Sequence, residues 1–272
     1  MTPEHVPLPK FDFRGRVAVI TGGASGIGRA TALLFAHSGA RVFTGDIELH
    51  PVTSAEFAQV GIEERECDVC QLDQLKSLIE SAAERAGRLD FLINNAGINL
   101  VGQVTDIDPA DWDQCLNTNL RAAFFGAQFA IPHLLQAGGG SIVNTASNAG
   151  LMPRAHDPVY SISKMALVGL TRSLALCHGK DRIRVNCVCP GPVGETRIMH
   201  TTLAREADPH AAAVRYLQAS PLAGAHGRMI SPWEVASSIA YLCSDAAAMI
   251  TGTSVAIDGG KSLGIPPAPV PR

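Results

Sequence analysis

The sequence has no apolar run approaching the roughly 20 residues that a membrane-spanning helix needs. Residues Met1 to Gly15 lack the apolar core of a signal peptide. A charge excess is missing too: 22 Lys and Arg against 25 Asp and Glu leave a formal net charge of −3. Nothing electrostatic therefore favours nucleic acid or an anionic membrane as a partner. The seven cysteines are odd in number and scattered, which excludes a small-domain disulfide framework and fits reduced thiols. Cys67-x-x-Cys70 with Cys187-x-Cys189 could be drawn as four zinc ligands. Cys67, Cys187 and Cys189, however, fall at the ends of apolar strand-like runs, where cysteine behaves as a small core residue, so no metal site is expected. Linkers, internal repeats and low-complexity segments are also lacking, and the chain is long enough to bury a substantial core in one domain. These absences lead to the expectation of a cytoplasmic protein that acts on a small molecule.

Tyrosine is scarce, with three in the chain, and only one has a lysine four residues on: Tyr160-Ser161-Ile162-Ser163-Lys164. On a helix that spacing puts phenol and ammonium on one face. A cation so close is expected to lower a phenol pKa of about 10 by roughly one to three units. Asp157-Pro158 reads as an N-cap followed by proline at the first helical position, which would place Tyr160 near the positive end of the helix. Taken alone, the pair is better explained by an amphipathic helix with accidental spacing, and only the rest of the chain changes that.

Ahead of that pair, Val17–Thr21 is a β-branched strand that ends in Gly22-Gly23-Ala24-Ser25-Gly26-Ile27-Gly28, followed by a helix from Arg29 to His37. Strand, glycine loop and helix present backbone N–H groups to a phosphate, and Gly26 and Gly28 permit close approach of a pyrophosphate. There is no Gly-Lys-Ser/Thr ending, which disfavours a nucleoside-triphosphate loop. Asp46 ends the next strand, Arg41–Asp46, eighteen residues after Gly28. A carboxylate there accepts from ribose hydroxyls and repels a 2′-phosphate, so the expected cofactor is NAD. Ser25 and Ile47 offer no cation for that phosphate; the other reading of Asp46 is a turn cap.

Asp68 closes a third strand-like run, and a helix from Gln71 to Ala86 stops at Gly87. Leu89–Ile93 is a fourth strand, running into Asn94-Asn95-Ala96-Gly97. Asp108-Pro109 opens a long helix toward Leu135, with Asn119 in its middle, either a buried functional amide or a satisfied core one. A fifth strand, Ser141–Ala146, leads to Ser147-Asn148, thirteen residues before Tyr160. A sixth, Arg184–Cys189, ends in Pro190-Gly191-Pro192-Val193, and the last is Ser254–Asp258 before Gly259-Gly260. A capping box, Ser231-Pro232-Trp233-Glu234, opens the final helix. The alternation predicts an α/β fold, a single-domain Rossmann-type doubly wound seven-stranded parallel sheet with helices on both faces. Its expected bounds are 16–260, between a leader at 1–15 and a tail at 261–272, with 194–230 as a substrate lid.

In this order, Thr21-Gly-Gly-Ala-Ser-Gly-Ile-Gly28, Asn94-Asn-Ala-Gly97, Asn119, Ser147, Tyr160-x-x-x-Lys164 and Pro190-Gly191 resemble the short-chain dehydrogenase/reductase (SDR) family from Arg16 to about Gly260. The resemblance implies a catalytic tetrad of Asn119, Ser147, Tyr160 and Lys164. Tyr160 would exchange a proton with the substrate oxygen, Ser147 would hold that oxygen, Lys164 would bind the nicotinamide ribose, and Asn119 would support a water relay. Further cofactor contacts are implied at Gly22, Ser25, Ile27, Ile47, Asp68 and Val69, at Asn95, Ala96 and Gly97, and at Pro190, Gly191 and Val193. The family often has a threonine shortly after Pro-Gly that contacts the carboxamide; here Gly194-Glu195 delay it to Thr196. Assembly as a homotetramer through the helices from Pro109 and Pro158 is also implied.

For the substrate, Asn99, Asn148, Leu151, Met152, His156 and Pro192 are the expected lining beside Ser147. Asn148 and His156 point to a small polar alcohol such as a sugar or polyol. The alternatives are a 3-oxoacyl carrier-protein reductase and, from another class, a non-catalytic NAD-binding regulator.

Overall fold

The computed structural model describes residues 9–264; the start of the expected leader and the end of the tail lie outside them. In chain order the elements are β1 (Val17–Thr21), α1 (Gly26–His37), β2 (Arg41–Asp46), α2 (Pro51–Val60), β3 (Glu63–Glu66), α3 (Leu72–Ala86) and β4 (Phe91–Asn94). There follow α4 (Pro109–Leu116), α5 (Ala122–Gln136), β5 (Gly140–Thr145), α6 (Pro158–His178) and β6 (Ile183–Pro190). The chain continues through α7 (Arg197–Ala204), α8 (Pro209–Gln218), α9 (Pro221–His226), α10 (Pro232–Cys243) and β7 (Ser254–Ile257).

The seven strands form one sheet in the order β3-β2-β1-β4-β5-β6-β7, with every pair parallel. This is the Rossmann-type doubly wound architecture, with helices on both faces. Side chains alternate along each strand, so Ala18 and Ile20 pack with α1 and α10, while Val17 and Val19 pack with α3 and α5. A sheet buried on both faces needs unbroken apolar strands, which is why β1, β4 and β5 were legible. Strand order reverses between β1 and β4, and ligands bind in the crevice at such a switch point. The C-terminal ends of β1, β4 and β5 therefore carry the loops that matter.

Three expectations change. The long helix from Pro109 is two α-helices joined by a turn of π-helix, Asn117–Arg121; such turns widen the backbone by one residue and concentrate at functional sites. Asp157 does not cap α6 with its side chain. Its buried carboxylate instead pairs with Arg154 at 2.8 Å, because the backbone of Asp157, at φ −150° and ψ 61°, departs from the extended geometry of a capping residue. Finally, the 194–230 segment, which the sequence left without assigned elements, carries α7, α8 and α9.

Candidate active site

At the nucleotide end, Gly22 has φ +67°, a left-handed conformation that favours glycine. Gly28 comes so close that a Cβ there would lie 1.9 Å from the Gly22 carbonyl oxygen. The loop is held from two sides. The Asn95 side-chain amide donates to the carbonyls of Thr21 and Gly22 at 3.1 and 3.0 Å, and Thr21 Oγ1 accepts from the N–H groups of Asn95 and Ala96. Asp46 Oδ2 accepts from the Ala24 N–H at 2.9 Å. Ser25 makes no side-chain cap bond, so its hydroxyl does not occupy the first-turn N–H groups of α1. Asp68 Oδ1 accepts from the Cys70 N–H, Val69 is buried, and Ile47 is exposed.

Thr196 reaches this loop despite its delay. Glu195 adopts a left-handed φ of +55°, and Thr196 then caps α7, accepting from the Met199 N–H and donating to the Val193 carbonyl. Its methyl group lies 3.1 Å from where a Cβ on Gly26 would be. Pro190 ends β6, and Gly191 bonds through its N–H to the Ile257 carbonyl.

At the chemical end, Tyr160 and Lys164 are 7% and 4% exposed. Lys164 Nζ donates to the Thr145 carbonyl at 2.9 Å and lies 5.7 Å from the centre of the Tyr160 ring. A Cβ on Gly97 would stand 3.1 Å from Asn119 Oδ1 and 3.3 Å from Lys164 Nζ, so only a residue without a side chain leaves these groups their present positions. Asn119, on the π-turn, accepts from the Ile98 N–H at 2.9 Å and donates to the Ile98 carbonyl and to Ser163 Oγ, both at 3.0 Å. It is thus a satisfied buried amide that grips the strand end after β4. Ser147 Oγ accepts from the Ala149 N–H at 3.1 Å and donates to Asn148 Oδ1 at 3.3 Å.

The expected lowering of the Tyr160 pKa is not what the site produces. Burial pushes the phenol up; Ser147 and Arg154 pull it back, while Asp157 and Cys115 push it further up. Lys164 is buried too, and desolvation brings its own pKa down to about 8. Both partners leave water together, and desolvation of each outweighs their mutual charge effect.

The chain matches the family model described as enoyl-(acyl carrier protein) reductase over residues 22–262. It is 38% identical over 253 residues to dehydrogenase/reductase SDR family member 6 of Aquarana catesbeiana, covering 92% of this chain and 98% of that one. This chain belongs to the short-chain dehydrogenase/reductase family. The 3-oxoacyl-[acyl-carrier-protein] reductase FabG of Thermotoga maritima is 36% identical over 250 residues, covering 90% and 97% of the two chains. The aldohexose dehydrogenase of Thermoplasma acidophilum superposes with a TM-score of 0.86 at 30% identity, covering 97% of this chain and all of that one. This SDR protein is therefore an oxidoreductase acting on CH–OH groups with a nicotinamide cofactor, and the non-catalytic alternative falls. The glycine loop fits such a cofactor, since Gly22 and Gly28 leave backbone where side chains would stand.

The residues expected to line the substrate are distributed as follows in this SDR enzyme. Asn99 donates to Thr202 of α7 at 3.4 Å, and its buried Oδ1 has no hydrogen-bond partner among the described residues. Asn148 is buried, and its carbonyl accepts from the N–H groups of Leu151 and Met152. Pro192 bonds through its carbonyl to the Ile230 N–H. His156 is exposed and faces Gln103, with Nδ1 3.1 Å from the amide nitrogen. Arg154, Tyr216 and Lys261 are residues that sequence reasoning missed. The Arg154 Cζ lies 5.8 Å from the Tyr160 ring centre, and Lys261 Nζ lies 5.5 Å from that of Tyr216. Arg154 could have been noticed as the one cation between Ser147 and Tyr160; the other two are brought in only by the fold.

Proposed function

We propose that this enzyme interconverts a secondary alcohol and its ketone on a small polar substrate, using NAD, with Tyr160 as the acid–base group. The observation that carries the reading is the burial of Tyr160 and Lys164 beside Ser147 at the edge where strand order reverses. A bound nicotinamide supplies or accepts the hydride. Tyr160 takes the hydroxyl proton in oxidation and returns it in reduction. Ser147 holds the substrate oxygen by hydrogen bonding, and Lys164, 5.7 Å from the Tyr160 ring, binds the ribose side of the cofactor. Asn119 keeps the Ile98 backbone, and with it the loop under Lys164, in place.

NADH formation followed by absorbance over a panel of secondary alcohols, sugars, polyols and hydroxy acids, with NADP in parallel, tests the reading. An enzyme that binds NADH yet turns over nothing in the panel would sink it.

The choice of NAD rests on Asp46, the carboxylate that ends β2. The neighbouring cations are engaged, Arg29 with Glu56 and Arg197 with Glu48. Asp46→Ala is expected to lower the NAD/NADP ratio of kcat/KM by about 10-fold or more, as repulsion of the 2′-phosphate is lost. An unchanged ratio would remove the carboxylate from the selection. The same measurement separates the second reading, a 3-oxoacyl carrier-protein reductase, which the FabG likeness favours and which would use NADP.

We place the protein in the cytoplasm as a homotetramer. Support for the first comes from seven unpaired cysteines. For the second, Phe124 of α5 and Ile162, Met165 and Leu176 of α6 are apolar side chains 48%, 45%, 40% and 87% exposed on the two helices concerned. Light scattering should return four chain masses; a monomer at micromolar concentration would exclude this assembly.

A further inference from the structure

Two cations, Arg154 against the Tyr160 ring and Lys261 against the Tyr216 ring, have no side-chain hydrogen bond among the described residues. Arg154 Nη2 is 2.8 Å from Asp157 Oδ2, but the contact is not aligned as a hydrogen bond, and that oxygen has no hydrogen-bond donor. Among the described residues, the guanidinium, with five donors, makes only this ion pair and its approach to the Tyr160 ring. The Lys261 ammonium, on the turn after β7, has no ion pair or hydrogen bond among them and rests over Tyr216 of α8.

The two cations form one cluster. The charge of Arg154 acts on Lys261, and both act on Asp157. Burial, reinforced by Arg154, pushes the Lys261 pKa down. Asp258 acts on Lys261 as well, but its oxygens already accept from the N–H groups of Gly260 and Ser262, and Glu206 is taken by Arg215. Asp157 faces both cations, and burial pushes its pKa up, which weakens it as a counter-charge.

Holding two half-buried cations beside carboxylates that are either desolvated or already engaged, with the side-chain donors unused for hydrogen bonding, costs stability and brings no packing advantage over apolar side chains. The arrangement gains a purpose once an anion joins it. A guanidinium fork with an ammonium beside it matches the two oxygens of a carboxylate.

We propose that Arg154 and Lys261 hold a carboxylate of the substrate, so that the alcohol oxidised is a hydroxy acid or sugar acid rather than a neutral sugar or polyol. This rests on the reading of Tyr160 as the acid–base group, because ring contact with Arg154 is what puts the anion near the reacting carbon. Asp157 becomes a positioning residue for Arg154. Tyr216 gives the 194–230 segment a part in specificity, as the face against which Lys261 rests.

The test compares acids with neutral counterparts: 2-, 3- and 4-hydroxypentanoate against their methyl esters, and gluconate against glucitol. Initial rates with NAD and calorimetric binding to the NADH-loaded enzyme are both read. At least one acid is expected to exceed its neutral partner by about 10–100-fold in kcat/KM, the range of one or two charge-assisted hydrogen bonds. Arg154→Met and Lys261→Met should each lower that ratio by about 10-fold or more, chiefly through KM. Lys261→Met removes no ion pair and so tests the idea even if Arg154→Met folds poorly.

Equal turnover of neutral compounds and acids, or a ratio unmoved in Lys261→Met, overturns the proposal and leaves the dehydrogenase reading standing. Failure of every acid to bind the NADH-loaded enzyme also overturns it. Acid binding that Lys261→Met weakens, with no turnover of any compound, keeps the anion site and removes the acid–base reading instead.

Discussion

Replacing Tyr160 with Phe is expected to lower kcat by about 10²–10⁴-fold while NADH affinity stays within about threefold, the signature of a group used in proton transfer rather than in binding. The ring is buried and would be retained, so packing against Lys164 and Arg154 survives. The pH dependence gives a second readout. Oxidation needs the phenolate, and burial holds the phenol above its ordinary value, so oxidation should climb as pH rises into the alkaline range. Reduction needs the neutral phenol, which neutral pH supplies. The groups that set this limb are Ser147 and Arg154, which favour phenolate, and Asp157 and Cys115, which oppose it. The limb should vanish in the Phe variant; a variant that kept both its rate and its limb would take Tyr160 out of the chemistry.

Lys164→Met should make the protein more stable and nearly inactive at once. Desolvation lowers the pKa of Lys164 from 10.5 to about 8, so the folded state disfavours the charged form. The sign follows from linkage. Below about pH 8 both folded and unfolded chains carry the proton, and the full cost of a buried ammonium falls on the fold. Between about 8 and 10.5 the folded state sheds the proton first and the cost fades. That cost is on the order of 3 kcal/mol, offset by the hydrogen bond to Thr145 at about 1 kcal/mol. Urea unfolding at pH 7 should therefore show a gain of about 1–2 kcal/mol for the variant, shrinking to nothing or below above pH 10. A loss of stability at pH 7 would mean that the ammonium is better solvated in the fold than its burial implies. Such a trade of stability for function is common at active sites.

What the sequence made legible was local. Val17–Thr21 and the glycines after it announce themselves because a strand buried on both faces must be apolar, and a loop that touches a pyrophosphate must lack side chains. The spacing of Tyr160 and Lys164 needed only the pitch of a helix. What stayed hidden depends on how distant segments meet. The direction of the Tyr160 shift follows from total burial, which no four-residue window contains. Asp157 followed the cap-and-proline rule in sequence, yet its carboxylate turns to Arg154. Lys261 lies beyond the last strand, and only the fold sets it over Tyr216 of α8. Asn119 looked out of place in a helix, and the reason was a local change of helix type that propensity does not encode.

That change of type leaves the inward face of the stretch from Pro109 to Gln136 continuous. Cys115, Asn119, Ala123 and Ala127 follow one another at intervals of four and all are buried, and Asn119 Nδ2 lies 3.4 Å from Cys115 Sγ across the junction. Positions four apart on a helix are neighbours on one face, so a substitution scan of this rod can be read on a single helical diagram, with Asn119 as the polar member of an otherwise apolar stripe.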